Sequence, residues 1–334
     1  MNRRHTLKTL VGGAGLAMAA PFVARAEATE LRAAKQFGLG YIQYVLMEQL
    51  QLVEAQARKA GLGEVKVTWA TFRSSDVMND ALISGSVDFV SLGLPGIATI
   101  WSRTRANMDV RASSGLNSLP LFLLTRNPAV QKVADFTDKD RIAVPAVKVS
   151  NQAILLQMEA AKLFGDSNHQ KLDPLTVSMA HPDATAAMLG AASEITANFS
   201  SAPFQYRQLK DQRIRKLTSS NDILGGRTSF NVVANTGRFR DANPKLYRAY
   251  LAALAEATEM VNRDKKGAAE IYLKATNDRT PLDEMLAMMN DPEIEFTTKP
   301  MTIDPMVMFM AKTGSLRVKP ERWQDLFFAE ALAS

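Results

Sequence analysis

Apolar residues along this 334-residue chain switch between strand and helix periods, and the switches set out its elements. Leu31 to Phe37 predicts a strand ending in Gly38-Leu39-Gly40. Val45, Leu46, Gln49, Leu50, Val53 and Ala57 then share one face at helical spacing, which predicts a single helix from Ile42 to Ala60, stopped by Gly61. Val65, Val67 and Trp69 alternate with Lys66 and Thr68 in a second strand, Val65 to Thr71. Ser74 or Ser75 caps the next helix, which carries Val77, Met78, Ala81 and Leu82. Val87 to Ser91 is a compact strand, and Leu94-Pro95-Gly96 opens a helix through Ile97, Ile100 and Trp101 with proline in its first turn. Val110 to Ser113 adds a further strand. The alternation predicts an α/β fold with a largely parallel sheet.

Gly115 to Pro120 breaks the pattern, and a second α/β series follows. Its expected strands are Leu121 to Thr125, Arg141 to Val144, Leu175 to Met179, Ile195 to Asn198 and Arg213 to Leu217. Its expected helices run from Asn151 to Phe164, from His181 through Leu189, and onward from Pro203-Phe204. Gly225-Gly226-Arg227 marks a second break. After Ser229 to Ala234 the chain reads as helical: Pro244 to Asn262, Lys265 to Ala275, Pro281 to Met289, Pro305 to Thr313 and Pro320 to Leu332. Two series, two breaks and a helical tail predict two lobes joined by two crossovers, with the C-terminal helical segment packed on lobe one. The expected partition is a leader over 1–26, lobe one over 27–117 with 228–334, and lobe two over 118–227.

Composition narrows the function. The formal charge of +6 invites a nucleic-acid reading, but residues 1–26 hold four basic groups and no acid, leaving 36 basic against 34 acidic groups. That balance gives no nucleic-acid footprint. The leader joins Arg3, Arg4 and Lys8 to a mildly apolar run from Leu10 to Ala20 and ends in Ala24-Arg25-Ala26. Basic start, apolar middle and small-residue end predict a secretory signal cleaved after Ala26. The arginine pair resembles a twin-arginine signal, although Thr6 stands where an aromatic is usual. The chain has no cysteine, which excludes disulfides, thiolate metal sites and a thiol nucleophile. A soluble periplasmic protein is the expectation.

At this point the chain resembles the periplasmic substrate-binding proteins of ATP-driven (ABC) importers, in the branch for nitrate, taurine, alkyl sulfonates and thiamine-pyrimidine precursors. The resemblance rests on an ordered set: Gly38-Leu39-Gly40-Tyr41, Ala81-Leu82-Ile83-Ser84-Gly85-Ser86-Val87-Asp88, Gly93-Leu94-Pro95, Asp135 to Pro145, Ala187-Met188-Leu189, Ala202-Pro203-Phe204 and Asn243-Pro244-Lys245-Leu246. It covers roughly residues 30–275 and implies a type II periplasmic-binding-protein fold. The family's small Gly/Ser turn after Pro145 is replaced by Ala146-Val147-Lys148-Val149-Ser150-Asn151, and its acidic residue before Pro203 by Ser200-Ser201. Both departures fall at the expected cleft and bear on ligand class.

Ligands of open α/β sheets bind outside the carboxyl ends of the strands. Three helix starts are expected to face the cleft there: Tyr41-Ile42, Leu94-Pro95-Gly96 and Ser150-Asn151-Gln152. Their free N–H groups and dipoles suit a carboxylate or sulfonate without a buried lysine. Gln43, Asn151, Gln152, Asn198 and Ser200 are candidates to orient the ligand, Tyr41 and Phe204 to form an apolar wall, and Arg227 to reach an anion. The structural alternatives are a simple N-cap for Ser150, a solvated Gln43, a core Phe204 and a solvated hinge arginine. His169 and His181 are isolated, and no nucleophile elbow, Walker loop or dinucleotide fingerprint occurs, so neither an enzyme nor a metal or cofactor is expected. The expected function is capture of a small, anionic organic solute and its delivery to a membrane permease and ATPase by a monomer. The alternatives are a sensor or scavenger of the same fold, or an enzyme on this scaffold.

Overall fold

The computed structural model describes residues 27–333. The expected signal and its cleavage site lie outside the described residues. Eleven strands among these form two sheets. The first contains β1 (Glu30–Lys35), β2 (Lys66–Thr71), β3 (Phe89–Gly93), β4 (Val110–Ser118), β10 (Asn231–Thr236) and β11 (Glu295–Phe296). The second contains β5 (Phe122–Thr125), β6 (Ile142–Val144), β7 (Thr176–Ser178), β8 (Ala197–Ser200) and β9 (Arg215–Ser219). The orders are β11-β4-β10-β3-β1-β2 and β7-β6-β8-β5-β9.

Each sheet is the centre of one lobe. β1 pairs in parallel with β2 and β3, as the alternating pattern predicts, but β10 runs antiparallel between β3 and β4. The chain leaves the first sheet through β4, builds the second, and returns through β10 into the middle of the first. β5 likewise lies antiparallel to both β8 and β9. The sheets are therefore mixed, because each crossover brings its strand in from the opposite end.

Three local expectations change. The helix expected over Ile42 to Ala60 is two, Ile42–Gln49 and Leu52–Lys59, with Gln51 left-handed at φ 50° between them. The apolar period runs on across the bend and neither glycine nor proline marks it. The second piece turns to pack on the helix Pro244–Arg263. The break expected at Gly115 is displaced, since β4 continues to Ser118 with a register shift against β10. There the Gly115 N–H donates to the Thr298 carbonyl at 2.8 Å. The helix expected over Pro320 to Leu332 is two short 3-10 turns, Trp323–Leu326 and Ala329–Leu332. Leu326, Phe327 and Phe328 are all buried, which no single helical stripe allows, and the Phe328 N–H bonds the Ala112 carbonyl of β4.

The aromatic centre of the first lobe is Phe89, stacked on Tyr250 and edge-on to Phe239. The C-terminal segment adds β11 and the two turns to the first sheet. Its helix Asp304–Lys312 also packs against helices of both lobes, Leu94–Thr104 and Asn151–Phe164. One apolar cluster runs from Ala34 and Trp101 through Met306 to Leu155 and Ile142, crossing between the lobes.

Candidate functional site

The cleft between the lobes has an inner and an outer part. The inner part lies past the carboxyl ends of β1 and β3. Its walls are Gln36, Phe37, Tyr41, Ser75 and Gly93 from the first lobe, Pro145, Ser150, Asn151, Gln152, His181 and Ser201 from the second, and Phe230 and Asn231 from the return crossover. No Asp, Glu, Lys or Arg is among them. The space is about 20 Å³, room for about one water.

Asn151 holds this part closed. Its Oδ1 accepts the Leu94 N–H at 2.9 Å, so the start of the helix Leu94–Thr104 is bonded by a side chain from the opposite lobe. Its Nδ2 donates to the Phe230 carbonyl at 3.3 Å. A Cβ on residue 93 would stand 2.5 Å from Asn151 Nδ2, which is why only glycine permits this approach. A second backbone bond crosses the cleft from the Leu39 N–H to the Ala202 carbonyl at 2.9 Å. Gly38 supports that contact with a left-handed φ of 113°, and a Cβ there would lie 2.9 Å from the same oxygen.

The remaining polar groups are set from behind. Ser75 Oγ accepts the Gly93 N–H at 3.0 Å and the Gln36 amide at 3.2 Å. Ser150 caps its helix, accepting the Ala153 N–H at 3.2 Å while donating to the Ala146 carbonyl at 2.7 Å. Gln152 Nε2 lies 3.3 Å from His181 Nε2, and the His181 ring stacks on Phe204 with centroids 5.6 Å apart. Burial pushes the His181 pKa down to about 4. Burial also raises the Tyr41 hydroxyl well above the usual phenol range, against the opposing pull of Ser91 and Asn231 beside it. At pH 7 both groups are therefore neutral. His181 Nδ1 is buried without a hydrogen-bond partner, while the Ser91 and Asn231 side chains lie beside the Tyr41 hydroxyl.

The outer part is a chamber of about 560 Å³ that shares Gln36, Phe37 and Tyr41 with the inner one. Phe37, Tyr41, Phe204 and Tyr272 give it aromatic walls. Its charges are largely paired: Lys35 with Glu48, and Arg207 with Asp278 at 2.7 Å. Arg279 stands exposed on the rim without an ion-pair partner among the described residues, leaving one positive charge in excess.

The structure brings Tyr41, Ser150, Asn151 and Gln152 together in the inner wall and puts Phe204 in the outer one. Leu94 contributes through its N–H, whereas Pro95 is buried behind it with no N–H to offer. Four further candidates lie off both walls. Gln43 is fully buried in the first lobe and donates to the Leu116 carbonyl at 2.6 Å. Asn198 and Ser200 sit inside the second lobe, joined by Gln208 at 3.3 and 3.2 Å. Arg227 is held by Glu295 at 2.5 Å. Gln43, Asn198 and Ser200 have found partners within their own lobes and Arg227 one on β11 of the first sheet, and chain position alone does not reveal such partners.

Sequence reasoning missed Gln36, Ser75, His181, Phe230 and Asn231. His181 had a usable signal, because it opens a helix directly after the carboxyl end of β7. Phe230 and Asn231 had none, because only the return of β10 between β3 and β4 brings them to the cleft.

The model of the NMT1-like family matches residues 30–275. The chain belongs to the NMT1-like family. Solved structures with the same fold include the alkanesulfonate-binding protein SsuA from Xanthomonas axonopodis pv. citri bound to MOPS. It is 20% identical, with a TM-score of 0.69, over 92% of this chain and 98% of that one. The periplasmic aliphatic sulphonate binding protein SsuA from Escherichia coli is 19% identical, with a TM-score of 0.64, over 90% and 92%. The periplasmic nitrate-binding protein NrtA from Synechocystis PCC 6803 is 14% identical, with a TM-score of 0.64, over 88% and 84%. No curated protein matches in sequence. This NMT1-like chain thus has the two-lobed, type II periplasmic-binding-protein fold. Among its described residues no group of three or more His, Cys, Asp or Glu is placed to hold a metal ion.

Proposed function

We propose that this protein is an exported solute-binding component of an ABC importer that captures a small organic anion between its lobes. The observation that carries the reading is the inner site: buried, free of charged side chains, and lined by neutral polar groups around three helix starts. Such a site favours an oxyanion, because a carboxylate in its wall would repel one and oriented N–H and O–H groups bind one without a buried cation. The adjoining aromatic chamber suits the organic remainder of the ligand. Closure of the lobes would present one shape to a membrane permease and its ATPase, the partners this family implies.

A thermal-shift panel of the exported protein tests the reading. Sulfonates, nitrate, an aromatic carboxylate and a neutral pyrimidine are compared. A ligand at 100 times its Kd adds about 2.7 kcal/mol to stability, a clear rise in Tm. Stabilisation by a sulfonate or carboxylate is expected. Stabilisation by the pyrimidine alone would sink the anion assignment and keep a binding protein.

A further inference from the structure

His181 stands at the second-lobe wall of the inner site with a geometry that calls for a ligand. The side chain is more than nine-tenths buried. Its Nε2 faces the Gln152 amide nitrogen at 3.3 Å. An amide nitrogen only donates, so Nε2 is the acceptor and the neutral ring carries its hydrogen on Nδ1. That Nδ1 is buried and has no partner. A buried donor left unpaired costs on the order of a hydrogen bond, and an acceptor in the cleft would remove that cost. The stack on Phe204 fixes the plane of the ring.

We propose that His181 contacts the ligand directly, donating from Nδ1–H to an anionic oxygen, and that anion capture is coupled to protonation of the ring. This rests on the anion reading above. With an anion on Nδ1, the second proton goes to Nε2, and the Gln152 amide turns over so that its oxygen accepts it. The charged neighbours are few. The other titratable group on the inner wall is Tyr41, neutral at working pH. Asp183 follows on the same helix, and Arg207 reaches the Phe204 ring at 5.9 Å, yet burial alone accounts for the low affinity of His181 for a proton. A bound anion is the missing opposite charge. It raises the pKa of the ring, so affinity for the anion rises as pH falls.

The test uses the full exported chain with methanesulfonate, butanesulfonate, benzenesulfonate and nitrate, which stay ionised across the range. Affinities are measured by calorimetry from pH 8 to 5. Tighter binding toward pH 5 is expected. His181→Phe keeps the stack and removes the donor, with a loss of about 10- to 100-fold at pH 7. His181→Asn offers an amide N–H near the Nδ1 position. It is expected to recover much of that loss and to bind independently of pH. Melting curves of both variants check folding. Sulfonates bound equally by wild type and His181→Phe would overturn the inference and leave the anion reading standing. No binding by any of the four anions would overturn the inference, and with no carboxylate bound in the thermal-shift panel it would overturn the anion reading as well. Nitrogen NMR of the ligand-free protein gives a separate arm. The Nδ1–H tautomer is expected, and an Nε2–H tautomer overturns the inference whatever binds.

Discussion

The inner and outer parts of the cleft share a wall and are built on opposite principles. The inner part has no charged side chain, is nearly filled, and presents neutral donors. The outer chamber has room for an organic group and carries charges, but Lys35 and Arg207 are already held by Glu48 and Asp278, and the one cation there without an ion-pair partner among the described residues, Arg279, stands exposed on the rim. Abundant charge therefore does not mark the better anion site. Paired, part-exposed charges have little left to offer a ligand. Buried neutral donors have no competitor, and their low-dielectric surroundings strengthen what they bind. The comparison assigns recognition of the anion to the inner part and tolerance of size to the outer.

The strongest way to break that division is at the residue joining the two parts. Phe204 is buried, lines the outer chamber and supports His181. Phe204→Ala should cost about 3–5 kcal/mol in denaturant unfolding. It should also weaken nitrate and methanesulfonate as much as larger sulfonates. Selective loss of the larger ligands would confine Phe204 to the outer part.

The next effect is on stability against pH. His181 has a folded pKa of about 4 against an ordinary 6.5, so the unfolded chain binds the extra proton across that window. Stability is expected to be highest above pH 6.5 and to fall by roughly 3 kcal/mol as pH drops to about 4. His181→Phe should flatten this part of the profile. A profile as steep in the variant would show that other groups carry it.

Gly93→Ala sharpens the comparison from the first-lobe side. The added methyl displaces the Asn151 amide and with it the bonds to Leu94 and Phe230. A loss of about 1–3 kcal/mol is expected, with a larger radius of gyration by solution scattering. An unchanged radius would mean that Leu39–Ala202 and the helix Asp304–Lys312 keep the lobes together without Asn151. The smallest effect belongs to Arg227, which lines neither part. Arg227→Ala should leave ligand affinity unchanged and alter stability by about 1 kcal/mol or less.

Local chemistry made much of this legible. The helix Asn151–Phe164 was readable at both ends, from the Ser150 cap to Gly165, because capping and glycine act within a few residues. The opening Leu94-Pro95 was readable for the same reason. The site was legible wherever it consists of helix starts: Tyr41, Ser150, Asn151 and Gln152 reach the inner wall. The bend at Gln51 was not, since docking on a helix some 200 residues later sets it and the local pattern is continuous.

The sequence by itself determined an α/β chain in two series with two breaks, a basic N-terminal stretch, and no thiol chemistry, because periodicity, charge and residue count are carried residue by residue. The tertiary structure alone decided the order of strands, with β10 between β3 and β4, and hence the arrival of Phe230 and Asn231 at the cleft. It also decided that Asn151 bonds across the lobes, that Gln43, Asn198 and Ser200 turn inward, and that His181 keeps a buried nitrogen unpaired. Those outcomes depend on which distant groups meet once both lobes have formed, and hydrogen-bond partners between lobes leave no period in the chain.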